Sequence, residues 1–237
     1  FERAAAPRTT LSIFCRTRDR APDGILPIWD GGTKRSLGPP FPQTFVPDSI
    51  VADPNRTLMI LSPDQASAIQ ALYHWFKAGT EQTITLGGYA GTGKTTLASV
   101  LRFVLHERHP DLSVAFCAFT GKATHVLRQR LEDSSLLLPQ DTCSTLHSLL
   151  YIPHVAKDGS IIGWHRAKEV EANLIVVDEA SMVTEDLWRD LVSLHVPIIA
   201  IGDHGQLPPV GSSFNLVQQP TIRLEQIHRQ VAESPIL

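Results

Sequence analysis

The stretch that decides the fold is GGYAGTGKTT, residues 87–96. From Gly88 to Thr95 its spacing is G-x-x-x-x-G-K-[ST], the pattern of a phosphate-binding loop. Glycines let the backbone adopt positive φ angles and approach a ligand closely, so that successive N–H groups can cradle phosphate oxygens. A helix that begins directly after the loop adds the positive end of its dipole. The stretch therefore predicts a nucleotide site.

The flanks of this loop supply the strand and the helix that such a site needs. Residues 82–86, QTITL, form a short β-branched run, and residues 94–107 carry apolar side chains at helical spacing. We expect the Lys94 amine, on an exposed loop, to have only phosphate as its partner, and the Thr95 hydroxyl to bind Mg²⁺. The alternative is a glycine-rich surface turn. The loop residues predicted to bind nucleotide are Gly88, Gly91, Gly93, Lys94, Thr95 and Thr96.

The overall composition is that of an ordinary globular protein. The 237 residues are 43% apolar and 19% charged, and the net charge of −3 means that any contact with nucleic acid must be local. Cys15, Cys117 and Cys143 have no paired spacing, which suits a reducing compartment and excludes a disulfide framework or a zinc knuckle. No apolar run approaches the ~18 residues of a membrane span, and no signal peptide is visible. We expect a cytoplasmic protein that makes no membrane contact.

Residues 1–57 differ from the rest of the chain. They hold eight of the 17 prolines, which disfavour helices and central strands. We expect this segment to be a Pro-rich lead-in or the tail of a preceding domain. Because the chain begins with Phe1 and not Met, we also expect either that a segment was removed or that the sequence is a piece of a longer one. The regular pattern begins near residue 58, so we place the main lobe, which carries the predicted nucleotide site, at 58–223.

Beyond residue 58, predicted strands and helices alternate. Such alternation predicts an α/β fold, with a doubly wound, mostly parallel sheet, helices on both faces and right-handed crossovers. Ligands of these sheets bind at the carboxyl ends of the strands. A helix at 62–77 comes first; it is followed by strand 83–86 with helix 94–107, strand 113–119 with helix 121–132, strand 173–178 with helix 184–194, and strand 196–202 with a loop after it.

Two adjacent acids follow the apolar run of strand 173–178. Asp178 can hold Mg²⁺ through water, and Glu179 can orient and deprotonate an attacking water. Both roles are needed for phosphoryl transfer to water, because that reaction depends mostly on positioning and charge neutralisation. The alternative is a solvated acidic turn that opens the next helix.

Two glutamines have both a structural and a functional interpretation. Gln206 follows the strand 196–202, where its amide can sense a γ-phosphate, although a polar turn is the favoured interpretation of this residue alone. Gln65 lies three residues after Ser62 and completes a capping box at a helix start with Pro63 at its first position. Its amide can also pair with the adenine edge, and the two roles can coexist. The residues that we expect this helix to bury are Ala66, Ile69, Leu72, Tyr73 and Phe76.

Seven motif blocks in a fixed order resemble one known family. Over residues 60–230 the chain looks like the superfamily 1 DNA helicases of the RecD-like and Dda-like branch, subfamily 1B. The resemblance implies a RecA-like P-loop NTPase that uses ATP and Mg²⁺ and couples hydrolysis to 5′–3′ travel on single-stranded DNA. The blocks are LSPDQASAI, GGYAGTGKTT, AFTGKATHVL, STLHSLL, VVDEASMV, AIGDHGQLPPVG and LEQIHRQ.

The resemblance also implies a role for each motif residue. Gln65 reads adenine, Asp178 and Thr95 hold the metal, and Gln206 couples the γ-phosphate to the DNA track. Arg229, in LEQIHRQ, reaches the γ-phosphate as a rigid fork that offsets transition-state charge, unless it is simply a surface arginine. The implied catalytic residues are Lys94, Glu179, Gln206 and Arg229.

Two further blocks correspond to the DNA path in this family. Thr120 and Lys122 lie where a strand ends and a helix begins, which suits a phosphate of single-stranded DNA. Thr145 and His147 are implied to contact the next phosphate or sugar. For all four residues the alternative is structural: helix capping, together with a histidine that forms its hydrogen bonds within the protein.

The segment 152–168 predicts a β-hairpin, because KDGS is a turn signal between β-branched and aromatic residues. Helicases of this branch carry a small insertion here that acts as a strand-separating pin; the alternative is a simple surface hairpin.

The family has two RecA-like lobes, and we expect residues 224–237 to begin the second. By itself, the chain is then expected to bind Mg·ATP weakly and to unwind no DNA. Other replication or recombination proteins are possible partners. Two other functions stay open: a P-loop small-molecule kinase, whose acceptor site and arginine lid the motif blocks do not supply, and a nucleotide-dependent binding module without turnover.

Overall fold

The computed structural model describes residues 50–51, 58–59, 61–206 and 214–226. Most of the Pro-rich segment 1–57 and the arginine Arg229 therefore lie outside the described residues. The strands are β1 Ile50–Val51, β2 Leu58–Met59, β3 Thr83–Gly88, β4 Val114–Ala118, β5 Thr142–Thr145, β6 Tyr151–Val155, β7 Ile161–Arg166, β8 Leu174–Asp178, β9 Ile198–Gly202 and β10 Ile222–Leu224. The helices are α1 Pro63–Ala78, α2 Lys94–Arg108, α3 Gly121–Asp133, α4 Leu146–Leu150 and α5 Glu185–Val192, with a 3₁₀ turn at Ala180–Met182.

A six-stranded sheet forms the centre of the fold, in the order β10-β3-β9-β8-β4-β5. Every neighbouring pair of its strands is parallel, so all six carboxyl ends lie at one edge. The consecutive strands β3 and β4 are separated by β9 and β8, as in a doubly wound sheet. The predicted α/β fold is therefore confirmed, and the motifs that follow β3, β8, β9, β4 and β5 meet at the same edge.

Both faces of the sheet are covered, and each covering layer has its own apolar core. On one face α1, α2 and α3 pack on alternate residues of the strands, such as Phe116 and Val176. On the other face α4 and α5 pack on the intervening residues, such as Cys117 and Val177. The inner strands β4, β8 and β9 are consequently almost entirely apolar, which is how the sequence revealed them.

One part of the predicted core of α1 is wrong. Ala66 is only partly buried, whereas Ala68 and Trp75 are buried. The buried stripe runs through Gln65, Ile69 and Leu72 at helical spacing, and Ala66 lies to one side of it. None of the helices in the described part of the chain is long and apolar enough to cross a membrane.

The predicted hairpin is present as the antiparallel pair β6–β7, separate from the six-stranded sheet. Its turn has Gly159 at a φ of 84°, in the left-handed region that glycine tolerates best. The Asp158 carboxylate accepts hydrogen bonds from the backbone N–H and the hydroxyl of Ser160. A bulge between His154 and Val155 shifts the register before the turn.

A buried ion pair fixes α2 to the neighbouring strands. Arg102 Nε lies 2.7 Å from Asp141 Oδ2, and the two side chains are 1% and 0% exposed. The guanidinium also donates to the carbonyl oxygen of Leu112, while the carboxylate accepts from Val114 N–H at the start of β4. This network anchors the helix that begins at the phosphate-binding loop.

Candidate nucleotide-binding site

The glycine-rich loop joins β3 to α2, and three of its glycines are favoured by its shape. Gly91 and Gly93 have φ angles of 85° and 82°. A Cβ on Gly88 would lie 2.5 Å from Thr92 Oγ1, and one on Gly93 would lie 2.6 Å from Gln65 Nε2. Gly91 and Gly93 are therefore favoured by their positive φ angles, and a side chain at Gly88 would force Thr92 to move.

The Lys94 amine has partners within the loop itself. It donates hydrogen bonds to the carbonyl oxygens of Gly88 at 2.6 Å and Tyr89 at 2.9 Å. The expectation that an exposed Lys94 has only phosphate as its partner is therefore wrong, because the loop curls over the partly buried side chain. Thr96, the last residue of the predicted loop set, is exposed at the start of α2.

The start of α2 is joined to the end of β8 at the predicted metal ligands. The Thr95 hydroxyl donates to Asp178 Oδ2 at 3.2 Å, and the backbone N–H of Glu179 donates to Asp178 Oδ1 at 2.9 Å. Burial raises the pKa of the Asp178 carboxyl, although these two hydrogen bonds and the nearby charge of Lys94 act to lower it. A cation bound beside Asp178 would relieve that cost of burial.

Glu179 is held in an unusual backbone conformation. Its φ of 57° lies in the left-handed region, which a residue other than glycine occupies only where its surroundings enforce it. Burial, and then the charge of Asp178, raise the pKa of the Glu179 carboxyl, and Lys94 opposes the shift. Burial likewise lowers the pKa of Lys94, against the pull of Asp203, Asp178 and Glu179. A carboxylate with a raised pKa, on a strained backbone and beside the charge of Lys94, suits proton transfer.

The residues at this edge include the ligand types that Mg²⁺ prefers. Mg²⁺ takes oxygen ligands and is held in nucleotide sites by one or two protein oxygens plus phosphates and waters. Thr95 and Asp178 supply a hydroxyl and a carboxylate of this kind. Among the described residues no group of three or more His, Cys, Asp or Glu side chains could hold a metal by itself. The donor set therefore fits a metal that arrives with a nucleotide.

Gln206 lies beyond β9 and is linked to the segment after Glu179. The buried Ser181 hydroxyl donates to Gln206 Oε1 at 2.7 Å. Beside it, the Tyr89 ring of the loop packs against the His204 ring with centroids 4.4 Å apart. The sequence analysis missed Ser181, Tyr89 and His204, although all three lie inside the quoted motif blocks. Position within a block was the only signal for them.

Gln65 performs the capping role that its spacing predicted. Its Oε1 accepts from Ser62 N–H at 3.1 Å, and the Ser62 side chain caps the Gln65 N–H. Its Nε2 also donates to the carbonyl oxygen of Thr92 at 3.0 Å. Gln65 thus connects α1 to the phosphate-binding loop, and its contact with adenine stays a prediction.

The residues predicted to contact DNA are brought to the same edge, at the ends of β4 and β5. The Thr120 hydroxyl accepts from Ala123 N–H at 3.1 Å and caps α3, and the Thr145 hydroxyl accepts from Ser148 N–H at 3.1 Å and caps α4. Lys122 and His147 are exposed. Capping, the structural alternative, is therefore present at both threonines, and DNA contact at all four residues stays a prediction.

The hairpin is tied to the main lobe at its root. Asp190 of α5 accepts from the Tyr151 hydroxyl at 2.6 Å and from Arg166 at 2.8 Å. Tyr151 and Arg166 face each other across β6 and β7. This contact fixes one end of the hairpin against α5 while its other end projects into solvent.

Comparison with known proteins identifies relatives of this arrangement. A family profile described as an AAA domain matches residues 60–236. The ATP-dependent RecD2 DNA helicase of Deinococcus radiodurans is 31% identical over 194 residues, which cover 78% of this chain and 24% of that protein. The ATP-dependent DNA helicase dda of Enterobacteria phage T4 is 31% identical over 139 residues, which cover 56% of this chain and 29% of that protein.

Among solved structures, the Pif1 helicase from Candida albicans resembles the chain with a TM-score of 0.44 at 20% identity, covering 71% of this chain and 40% of that one. The chain spans between 23% and 33% of the length of the first three curated relatives that it matches.

Proposed function

The chain belongs to the AAA-domain family, as a superfamily 1B RecD-like helicase motor domain, and on that premise we propose that it binds Mg·ATP and single-stranded DNA. In a protein with two motor lobes it couples ATP hydrolysis to 5′–3′ travel along DNA. The observation that carries the proposal is the hydrogen bond between Thr95 and Asp178, which unites the phosphate-binding loop with the acidic strand end.

Nucleotide binding requires an exchange of partners at Lys94. Its amine donates to two carbonyl oxygens of the loop, and phosphate oxygens replace them when nucleotide binds. The exchange is favourable because a hydrogen bond between two charged groups is stronger than one to a neutral carbonyl. Mg²⁺, held by Thr95 and Asp178, neutralises phosphate charge when it is bound.

Hydrolysis is assigned to Glu179. Its carboxylate accepts a proton from the attacking water as the water oxygen bonds to the γ-phosphorus and the bond to the β,γ-bridging oxygen breaks, which releases ADP and phosphate. Its raised pKa makes it a stronger base than an ordinary glutamate. Gln206 senses the γ-phosphate with its amide N–H groups, while its Oε1 accepts the bond from Ser181. Because Ser181 lies two residues after Glu179, that bond connects the base to the segment after β9.

The DNA path is assigned to the neighbouring strand ends. Thr120, Lys122, Thr145 and His147 lie at the same sheet edge as the nucleotide residues, so a change at the phosphates reaches them through β4 and β8. The hairpin 151–166, tied to α5 by Asp190, is placed to act as a strand-separating pin. Arg229 lies outside the described residues, and its contact with the γ-phosphate stays a prediction.

The proposal is tested by phosphate release from ATP in a two-lobe protein that carries this chain, with and without single-stranded DNA. We expect stimulation by DNA, and unwinding only of duplexes that carry a 5′ single-stranded tail. Transfer of phosphate to a small acceptor would indicate a kinase, and nucleotide binding without turnover would indicate a binding module. Unwinding from a 3′ tail alone would contradict the assigned direction.

A further inference from the structure

An aromatic pocket lies at the root of the hairpin, outside the nucleotide site. His147 of α4, Tyr151 of β6 and Trp164 of β7 line a cavity of about 290 Å³. We propose that this pocket holds one unpaired base of single-stranded DNA, stacked against the rings. The inference rests on the proposed function, because it names a base-binding contact on the DNA path assigned above.

The size and the lining of the pocket suit a planar, uncharged ring. Pockets for drug-sized ligands have volumes of about 300–1,000 Å³, so this one takes a single ring system. The His147 and Tyr151 rings are 6.0 Å apart, which is direct contact and leaves no gap between them for a base. The base therefore enters on the side of Trp164, which is 62% exposed.

The Tyr151 wall of the pocket is fixed before any ligand arrives. Tyr151 is held through its hydroxyl by Asp190, which also binds Arg166 on the opposite strand. Pro153 and Trp164 face each other two pairs further along the hairpin, on the same side as Tyr151 and Arg166. A preset pocket costs little ordering free energy when a base enters it.

The pocket continues the assigned phosphate path. The Phe119 ring lies 6.1 Å from His147, and Phe119 directly precedes Thr120 at the end of β4. His147 lies two residues after Thr145 at the end of β5. The rings thus form a row from the proposed phosphate contacts to the hairpin, so that a strand bound at Thr120 and Thr145 has a base within reach of Trp164. Aromatic stacking does not depend on base identity, which suits a motor that moves along any sequence.

The experiment measures binding of a short fluorescein-labelled oligothymidylate to this chain by anisotropy. A second probe has the same backbone with every base replaced by an abasic site, so that the phosphates stay and the stacking partners go. We expect the unmodified chain to prefer the oligothymidylate, and Trp164→Ala to lose about 5- to 150-fold in its affinity, the range for one stacked base. Trp164→Phe keeps a ring and is expected to keep most of the preference.

Two controls separate the pocket from the rest of the surface. Ile162→Ala removes an equally exposed apolar side chain of the same strand, 61% exposed, and is expected to bind both probes as the unmodified chain does. Lys122→Ala is expected to weaken both probes alike, because it removes a phosphate contact.

Each possible result decides between the pocket and the proposed function. If Trp164→Ala keeps the full preference for bases while Lys122→Ala weakens binding, the pocket assignment is overturned and the DNA path stands. If the unmodified chain binds neither probe, both are overturned. If Trp164→Ala only abolishes self-association of the chain, the pocket is a protein-docking site and the inference is wrong.

Discussion

Replacement of Asp141 by alanine is the perturbation whose cost the structure specifies best. The Asp141 carboxylate accepts four hydrogen bonds, two of them from Arg102 and one each from the backbone N–H groups of Val114 and Leu138. Asp141→Ala leaves the guanidinium, which is 1% exposed, without its counter-ion, and leaves both N–H groups without that acceptor.

The expected loss of stability is large. Removing one partner of a buried ion pair costs about 3–5 kcal/mol, and an amide left unpaired in the interior costs about 1–3 kcal/mol. These costs overlap, because water and Arg102 can rearrange into the space, so we take about 3 kcal/mol as the lower limit. For a chain of this size that corresponds to a fall in Tm of at least about 6 °C. It is a large part of a total stability of about 5–15 kcal/mol.

The assay is equilibrium unfolding in urea, with Arg189→Ala as the matched control. Arg189 forms an ion pair of 3.0 Å with Glu185, but the two side chains are 70% and 62% exposed, so its loss is expected to cost less than about 1 kcal/mol. The double variant Arg102→Met with Asp141→Leu removes both charges and is expected to be more stable than Asp141→Ala alone. A loss below about 1 kcal/mol for Asp141→Ala, or a double variant less stable than the single one, would refute the reasoning.

Three further outcomes concern activity in a two-lobe protein that carries this chain. Glu179→Gln is expected to keep ATP affinity and to slow hydrolysis by at least about 100-fold, because it removes the base, and unchanged turnover in a phosphate-release assay would exclude that role. As the pH falls, the hydrolysis rate is expected to decline at a higher pH than an ordinary glutamate would give, because the raised pKa of Glu179 leads to earlier protonation of the base. As the pH rises, ATP affinity is expected to decline early, because the lowered pKa of Lys94 leads to earlier loss of its charge. If the residual activity of Glu179→Gln showed the same decline at low pH, the assignment of that decline to Glu179 would be wrong. Deletion of residues 156–161 is expected to reduce unwinding in a strand-displacement assay more than ATP hydrolysis, whereas equal loss of both would indicate a purely structural hairpin.

The parts of the fold that could be read from the sequence are those with long apolar runs or defined caps. The strands β3, β4, β8 and β9 lie inside the sheet, so their sequences are mostly apolar and their predicted limits are within two residues of the observed ones. The start of α1 was fixed by the Ser62 capping box.

Two strands of the sheet were missed for a physical reason. The strand β5 has the sequence TCST with one buried side chain, and β10 has three residues, IRL, so neither has an apolar run. Both lie at an edge of the sheet, where a strand is held mainly by backbone hydrogen bonds to one neighbour, and these leave little trace in the sequence.

The proximity of the motif residues was predictable from the sequence, but the hydrogen bonds among them were not. The spacing of the motifs placed Thr95 beside Asp178 correctly, because parallel strands bring their carboxyl ends to one edge. The contact of Lys94 with loop carbonyls and the bond from Ser181 to Gln206 depend on side-chain conformation, which spacing does not determine. The same holds for the pair Arg102–Asp141, whose members are 39 positions apart.

The most direct test of the central claim is a calorimetric titration of this chain with Mg·ATP, comparing the unmodified protein with Lys94→Ala. Lys122→Ala is the control, since it removes the same charge from an exposed position on α3. We predict weak binding that needs Mg²⁺, is unchanged in Lys122→Ala and falls by at least about 10-fold in Lys94→Ala, the loss of one charge-assisted hydrogen bond. Binding of Mg·ATP by Lys94→Ala with the affinity of the unmodified chain would contradict the assignment of the loop at residues 88–95 as the phosphate site.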